Sequence, residues 1–226
     1  MKLWHYLSLA VAAVLLGGFG VLADEVSEGS TMAFDNWLVL SLRVPGDPSK
    51  PLGPAWLEET ARDITSLGSV VVLGLFVLAL VGYLALSGRR LTAGFLAVSV
   101  GCGALISTIL KIIFDRPRPD IPGVTRVFSA SFPSGHATLS AVVYLTAAII
   151  FANMMDRRAP RVFALAIAAF LTVSIGVTRV YLGVHFPSDV AAGWALGTAW
   201  TLLTYLVLRY LEQRDQRGSA TGTARR

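Results

Sequence analysis

Acidic residues, histidine and cysteine are all scarce in this chain of 226 residues, which holds 14 Asp and Glu, three His and a single Cys. The lone Cys102 excludes an intrachain disulfide and, in the middle of an apolar stretch, reads as a small packing residue. No Cys/His cluster or second carboxylate suited to a cation stands out. Charged residues make up 15% of the chain against 54% hydrophobic, with a mean hydropathy of +0.65, which excludes an ordinary soluble domain. What the chain has instead is long apolar runs. Six of them, 3–22, 67–86, 91–113, 137–155, 162–177 and 190–208, suit the roughly 20 helical residues needed to cross a hydrocarbon core. Only the third carries a charged side chain, Lys111 near its end. The expected fold is all-α, a single-domain integral membrane bundle of six transmembrane helices over 1–226. Its motif-bearing core is 66–208, flanked by an extracytoplasmic segment at 23–66 and a cytoplasmic tail at 209–226.

The net charge of +5 does not point to nucleic acid, because the basic residues are sorted by loop and form no stripe. Threading the runs alternately puts Lys2, Arg89, Arg90, Arg157, Arg158, Arg161, Arg209, Arg214, Arg217, Arg225 and Arg226 on one side, cytoplasmic by the positive-inside bias. Both termini then lie in the cytoplasm of a plasma (inner) membrane protein. The acid-rich 23–66 segment falls on the other side. The first run also resembles a secretory signal, but it exceeds the typical apolar length of about 7–15 residues and reads as a retained helix.

Within 23–66, the prolines and glycines of 45–48 and 51–54 break any helix. Trp56, Leu57, Thr60 and Ile64 then recur at helical spacing opposite Glu58, Glu59, Arg62 and Asp63. That pattern suits an amphipathic helix, either on the membrane surface or as a lid packed on the bundle. Gly193 and Gly197 permit close helix approach, as do Gly94, Gly101 and Gly103, and packing inside the chain's own bundle is favoured over dimerisation. The Gly-Ser-Ala-Thr-Gly-Thr run at 218–223 suggests a disordered tail.

Polar chemistry is confined to three clusters. Pro133-Ser134-Gly135-His136 precedes the fourth apolar run, so it should open a helix whose first amides lack internal partners and favour an anion. Taken alone it would be an ordinary helix cap. Lys111 lies just before Asp115-Arg116-Pro117-Arg118-Pro119, whose prolines hold the chain extended and aim the guanidinium groups; planar Arg donors match phosphate oxygens and Lys adds a point charge. The third cluster is Thr178-Arg179, then His185-Phe186-Pro187-Ser188-Asp189 at the start of the last run. Asp189, four residues after His185, can bond one ring nitrogen and leave the other free as a nucleophile. All three clusters fall on the outward face.

These residues resemble the type 2 phosphatidic acid phosphatases (PAP2), whose signature also occurs in acid phosphatases and vanadium haloperoxidases. The family pattern is Lys, six residues, Arg-Pro; Pro-Ser-Gly-His; then Ser-Arg, five residues, His, three residues, Asp. The chain matches it throughout except for Thr178 in place of Ser. The resemblance implies a six-helix bundle and a phosphatase mechanism with no metal and no cofactor. In it His185 attacks phosphorus to give a phosphohistidine, His136 acts as acid and then base, and Asp189 orients His185. Lys111, Arg118, Ser134, Gly135 and Arg179 bind the phosphate.

A clamp at the ends of membrane helices favours a lipid phosphate such as phosphatidic acid, phosphatidylglycerol phosphate or a polyprenyl diphosphate, with Arg116 and Arg126 as possible headgroup contacts. The expected partners are that substrate and membrane lipids, with no obligate protein partner. The alternative is a lipid phosphotransferase using the same residues. A vanadate-dependent peroxidase fits poorly with the membrane content, and a transporter would place its polar groups near the bilayer midplane.

Overall fold

The structure, a computed structural model, describes residues 3–124 and 129–223. Helix α1 (Leu3–Glu28) runs past the first apolar stretch and stops where Gly29 adopts φ 79° and the Ser30 N–H reaches the Glu25 carbonyl. Helix α2 (Met32–Ser41) follows, then a hairpin of β1 (Arg43–Val44) and β2 (Asp47–Pro51), which pairs Arg43 with Pro51. Helix α3 (Ala55–Ser66) joins α4 (Val70–Leu86) across a 44° bend. There the Ser69 hydroxyl accepts the Val72 N–H and restarts the helix. The remaining elements are α5 (Arg90–Phe114), α6 (Gly135–Ser140), a π-helical turn (Ala141–Leu145), α7 (Thr146–Met154), α8 (Arg158–Tyr181) and α9 (Pro187–Thr223).

Among the described residues, five helices are long and apolar enough to cross a membrane: Trp4–Glu28, Arg90–Phe114, Gly135–Met154, Arg158–Tyr181 and Pro187–Leu211. The bent pair α3 and α4 makes a sixth when taken as one span. Large apolar side chains such as Val71, Leu78, Ile112 and Phe170 point outward, the inversion expected where hydrocarbon is the solvent.

Close packing is concentrated around α9, which lies against α1 on one side and α6 on the other. A Cβ on Gly193 would stand 2.8 Å from the Ser134 carbonyl oxygen, and one on Gly197 2.5 Å from that of Thr138, so only glycine lets α9 approach α6. This is contact inside one bundle, as the sequence suggested. Gly103 serves likewise against Val142, but Gly94 and Gly101 face open space, because helix periodicity turns them away from the seam that Gly103 occupies. Helix α3 packs on α8 with Ala61 buried, which favours the lid over the surface helix, although Trp56 stays exposed. Helix α9 runs on to Thr223, across the 218–223 run that the sequence suggests is a disordered tail.

Candidate active site

The C-terminal ends of α5 and α8 meet the N-terminal ends of α6 and α9, which brings the three clusters together. At α6, the Ser134 main-chain N–H donates to the Asp189 carbonyl at 2.9 Å, tying the second cluster to the third. Ser134 stands at the helix cap, yet its hydroxyl caps nothing; it is buried and has no partner among the described residues. The bland cap reading therefore fails for its side chain. Lys111 crosses from α5 to the same place: its Nζ donates to the Ala130 and Ser131 carbonyls at 2.6 and 3.3 Å, and a Cβ on Gly135 would stand 3.6 Å from its Cε. His136, on the first turn of α6, lies within electrostatic reach of Arg179, Arg118 and Lys111.

His185 is 1% exposed and held from both sides. Arg118 Nη1 approaches Nε2 at 3.0 Å and also donates to the Val184 carbonyl at 2.7 Å, while its Nε donates to the Ser129 carbonyl at 2.8 Å. A guanidinium only donates, so Nε2 carries the lone pair and Nδ1 the hydrogen. On the Nδ1 side stand Asp189 Oδ2 at 3.4 Å and the Ser131 hydroxyl at 3.3 Å. Asp189 Oδ2 also accepts a short hydrogen bond from Ser131 and the Phe186 N–H at 2.9 Å. Burial pushes the His185 imidazolium down to about 3, opposed by the hydrogen bond to Asp189 and reinforced by the Arg118 cation. The resting ring is therefore neutral. Burial also lowers Arg118 from its ordinary value, an effect that Asp189 opposes.

Arg179 is buried at the end of α8, donates to the Thr65 hydroxyl at 3.2 Å, and has an Nε with no partner among the described residues. Thr178, the departure from the family pattern, spends its hydroxyl on the Ile175 carbonyl at 2.7 Å within its own helix.

One expectation is corrected. Arg116 is no headgroup contact, because its side chain turns inward and is 5% exposed. Its Nη1 meets Asp189 Oδ1 and the Ser188 hydroxyl, both at 2.7 Å, its Nη2 meets Asp35 Oδ2 at 2.7 Å, and the guanidinium lies 4.5 Å over the Phe186 ring. Two desolvated carboxylates and a facing ring outweigh the pull of the headgroup region on a single cation. Arg126, the other possible headgroup contact, lies outside the described residues. Sequence reasoning missed Asp35 altogether. It is fully buried on α2, and it also accepts the Ser188 N–H at 3.1 Å and the Ser188 hydroxyl at 2.5 Å. The only hint was a carboxylate between Phe34 and Trp37 in an apolar helix.

The PAP2 superfamily model matches residues 92–213, which takes in all three clusters and more than half of the chain. The chain belongs to the PAP2 superfamily. Among PAP2 relatives, phosphatidylglycerophosphatase B of Bacillus subtilis is 32% identical over 166 residues, covering 72% of this chain and 78% of its own. Decaprenylphosphoryl-5-phosphoribose phosphatase of Mycobacterium tuberculosis is 33% identical over 61% of this chain and 73% of its own. Lipid A 1-phosphatase of Rhizobium etli is 32% identical over 68% and 72%. The fold is similar to the crystal structure of a transmembrane PAP2 type phosphatidylglycerolphosphate phosphatase from Bacillus subtilis, with a TM-score of 0.78 and 24% identity over 90% of this chain and 96% of that one. Asp35 and Arg43 precede the matched region, so the buried carboxylate behind Asp189 comes from outside the part that carries the PAP2 pattern.

Proposed function

We propose that this PAP2 phosphatase is a lipid phosphate phosphatase that works through a phosphohistidine at His185. The observation that carries the reading is the two-sided setting of His185, with a lone pair on Nε2 toward cations and a hydrogen on Nδ1 toward Asp189 and Ser131. The relatives support the class: each is named as a phosphatase of a lipid-linked or lipid phosphate.

In this reading the phosphate enters among Lys111, Arg118, Arg179, the Ser134 hydroxyl and the Gly135 amide, which supply donors for its oxygens. Arg118 shifts its donor from Nε2 to a phosphate oxygen, freeing the lone pair. Nε2 attacks phosphorus in line, the bond to the lipid alkoxide breaks, and His136 gives that alkoxide a proton. A water then attacks the phosphohistidine, His136 takes its proton, and phosphate leaves as His185 regains its lone pair. Asp189 holds Nδ1–H and offsets the positive charge on the ring. Asp35 matters here as a positioning residue. Arg116 alone would neutralise Asp189, whereas the group Asp35, Arg116 and Asp189 retains one net negative charge behind His185.

The position of the site at the ends of the long apolar helices supports a substrate phosphate that arrives at headgroup depth. The positive-inside bias supports an extracytoplasmic site with both termini cytoplasmic. Purified protein is to be assayed for phosphate release from phosphatidic acid, phosphatidylglycerol phosphate and polyprenyl diphosphate in mixed micelles. Release should fall at least about 1,000-fold in His185→Ala. Full retained activity in that variant would sink the mechanism.

A further inference from the structure

A cavity of about 340 Å³ lies beside the phosphate clamp, walled by the hairpin, α3 and the end of α8. That volume is within the range of small-molecule sites, about 300–1,000 Å³. It shares Arg179 with the clamp, and Val184, whose carbonyl holds Arg118, is also in its wall. The other charged side chains lining it are Arg43, Arg62 and Glu58. Glu58 is already bridged to Arg62 at 2.5 Å. Arg43 and Arg179 therefore have no carboxylate partner among the described residues.

Arg43 is the unusual one. It is 5% exposed, comes from β1, and donates only to the Tyr181 carbonyl, at 2.8 Å, leaving a buried Nε with no partner among the described residues. It presses on the loop that carries His185: a Cβ on Gly183 would stand 2.3 Å from its Nη2, so glycine there admits the guanidinium two residues from the ring. Burial holds Arg43 below its ordinary value, opposed by Tyr181 and Glu58. A buried, unpaired cation is costly, and it is normally retained where an anion meets it. The scissile phosphate accounts for Arg179 but leaves Arg43 unexplained.

We infer that this cavity is a subsite for a second phosphate on the substrate, held by Arg43, with the paired Arg62 and Glu58 at its rim, next to the clamp that holds the scissile phosphate. The preferred substrate class is then a lipid carrying two phosphates close together, either as a diphosphate or as a phosphomonoester joined through a short spacer to a phosphodiester. A lipid with one phosphate leaves the Arg43 charge unmet. Neutral sugar hydroxyls would fill the space but not meet the charge of Arg43. This rests on the phosphatase reading above and adds its substrate class.

The test compares kcat/KM for polyprenyl diphosphate and phosphatidylglycerol phosphate with that for phosphatidic acid, using full-length protein in mixed micelles. The unmodified protein should prefer one or both two-phosphate lipids at least about 10-fold, the scale of one charge-assisted contact. The favoured lipid tells whether the second phosphate is part of a diphosphate or a diester. Arg43→Gln should reduce that preference at least about 10-fold. Arg62→Glu, at an exposed position that threatens no packing, should reduce it in the same direction and keeps the test decisive if Arg43→Gln does not fold. Preference unchanged in Arg62→Glu and in any folded Arg43→Gln, with phosphate release intact, overturns the subsite alone. Phosphate release from none of the three lipids overturns the phosphatase reading, and the subsite with it.

Discussion

The two sides of His185 are built on opposite principles. Behind it, Asp189, Arg116, Asp35, Ser131 and Ser188 form a closed group in which each charge has an opposite charge at bonding distance. In front, Lys111, Arg118 and Arg179 gather with no carboxylate bonded to any of them among the described residues; they donate to main-chain carbonyls and hydroxyls, and Arg118 to the ring itself. Paired charges fix geometry, and unpaired cations at the mouth of a helix bundle await an anion. Arg116 and Arg118 make the contrast sharpest, because they are two residues apart in one proline-flanked run and face opposite sides.

The largest effect that tests this contrast is on the front. In the proposed mechanism Arg118→Gln removes a cation aimed at the transferring group, so kcat should fall about 100-fold to 1,000-fold, as when one transition-state donor is lost elsewhere. The melting temperature should fall less than when a buried ion pair is broken, since Arg118 loses hydrogen bonds to the Val184 and Ser129 carbonyls but no carboxylate partner. A large loss of stability with little loss of kcat would reverse the front and back assignments.

Next in size is the back. Arg116→Met leaves two carboxylates buried without their cation and should cost about 3–5 kcal/mol of stability as well as activity. The double variant Arg116→Met with Asp35→Leu removes an opposite pair and should recover much of that stability, measured by thermal unfolding in detergent. Activity should return less fully, because Asp189 loses the partner that aims it. Recovery of neither quantity would mean that Asp35 and Arg116 act independently.

A smaller effect follows from the neutral ring. His185 binds a proton in the unfolded chain below its usual 6.5 or so, but in the folded protein only near 3. Between those values the unfolded state holds more protons, so stability is retained above about pH 6.5 and is lost as pH falls, by at most about 1.4 kcal/mol per pH unit. His185→Gln should flatten that slope. A slope left unchanged in the variant would mean that the ring is charged in the folded state.

How far sequence could reach follows the same division. Helix positions were legible because lipid demands unbroken apolar runs, and the front of the site was legible because each motif is a short local string. The back was not. Asp35 meets Arg116 across 81 residues, a pairing that no local pattern encodes, and Arg116 itself reads as a surface cation until its partner is known. The bend between α3 and α4 was missed for a related reason: hydropathy registers Val70–Leu86 but not the cap at Ser69 that turns it.

The smallest expected effect concerns the one departure from the family pattern. Had the Thr178 hydroxyl belonged to the front, it would be left without a partner like that of Ser134, but it is spent on the Ile175 carbonyl one turn back. Serine can make the same bond, and it differs only by a methyl group at a buried position that is 7% exposed. Thr178→Ser should therefore keep kcat/KM within about 2-fold, with a stability loss of about 1 kcal/mol for the missing methyl. A 10-fold gain in kcat/KM would show instead that this hydroxyl reaches the phosphate when substrate is bound, and that the methyl group of threonine holds it back.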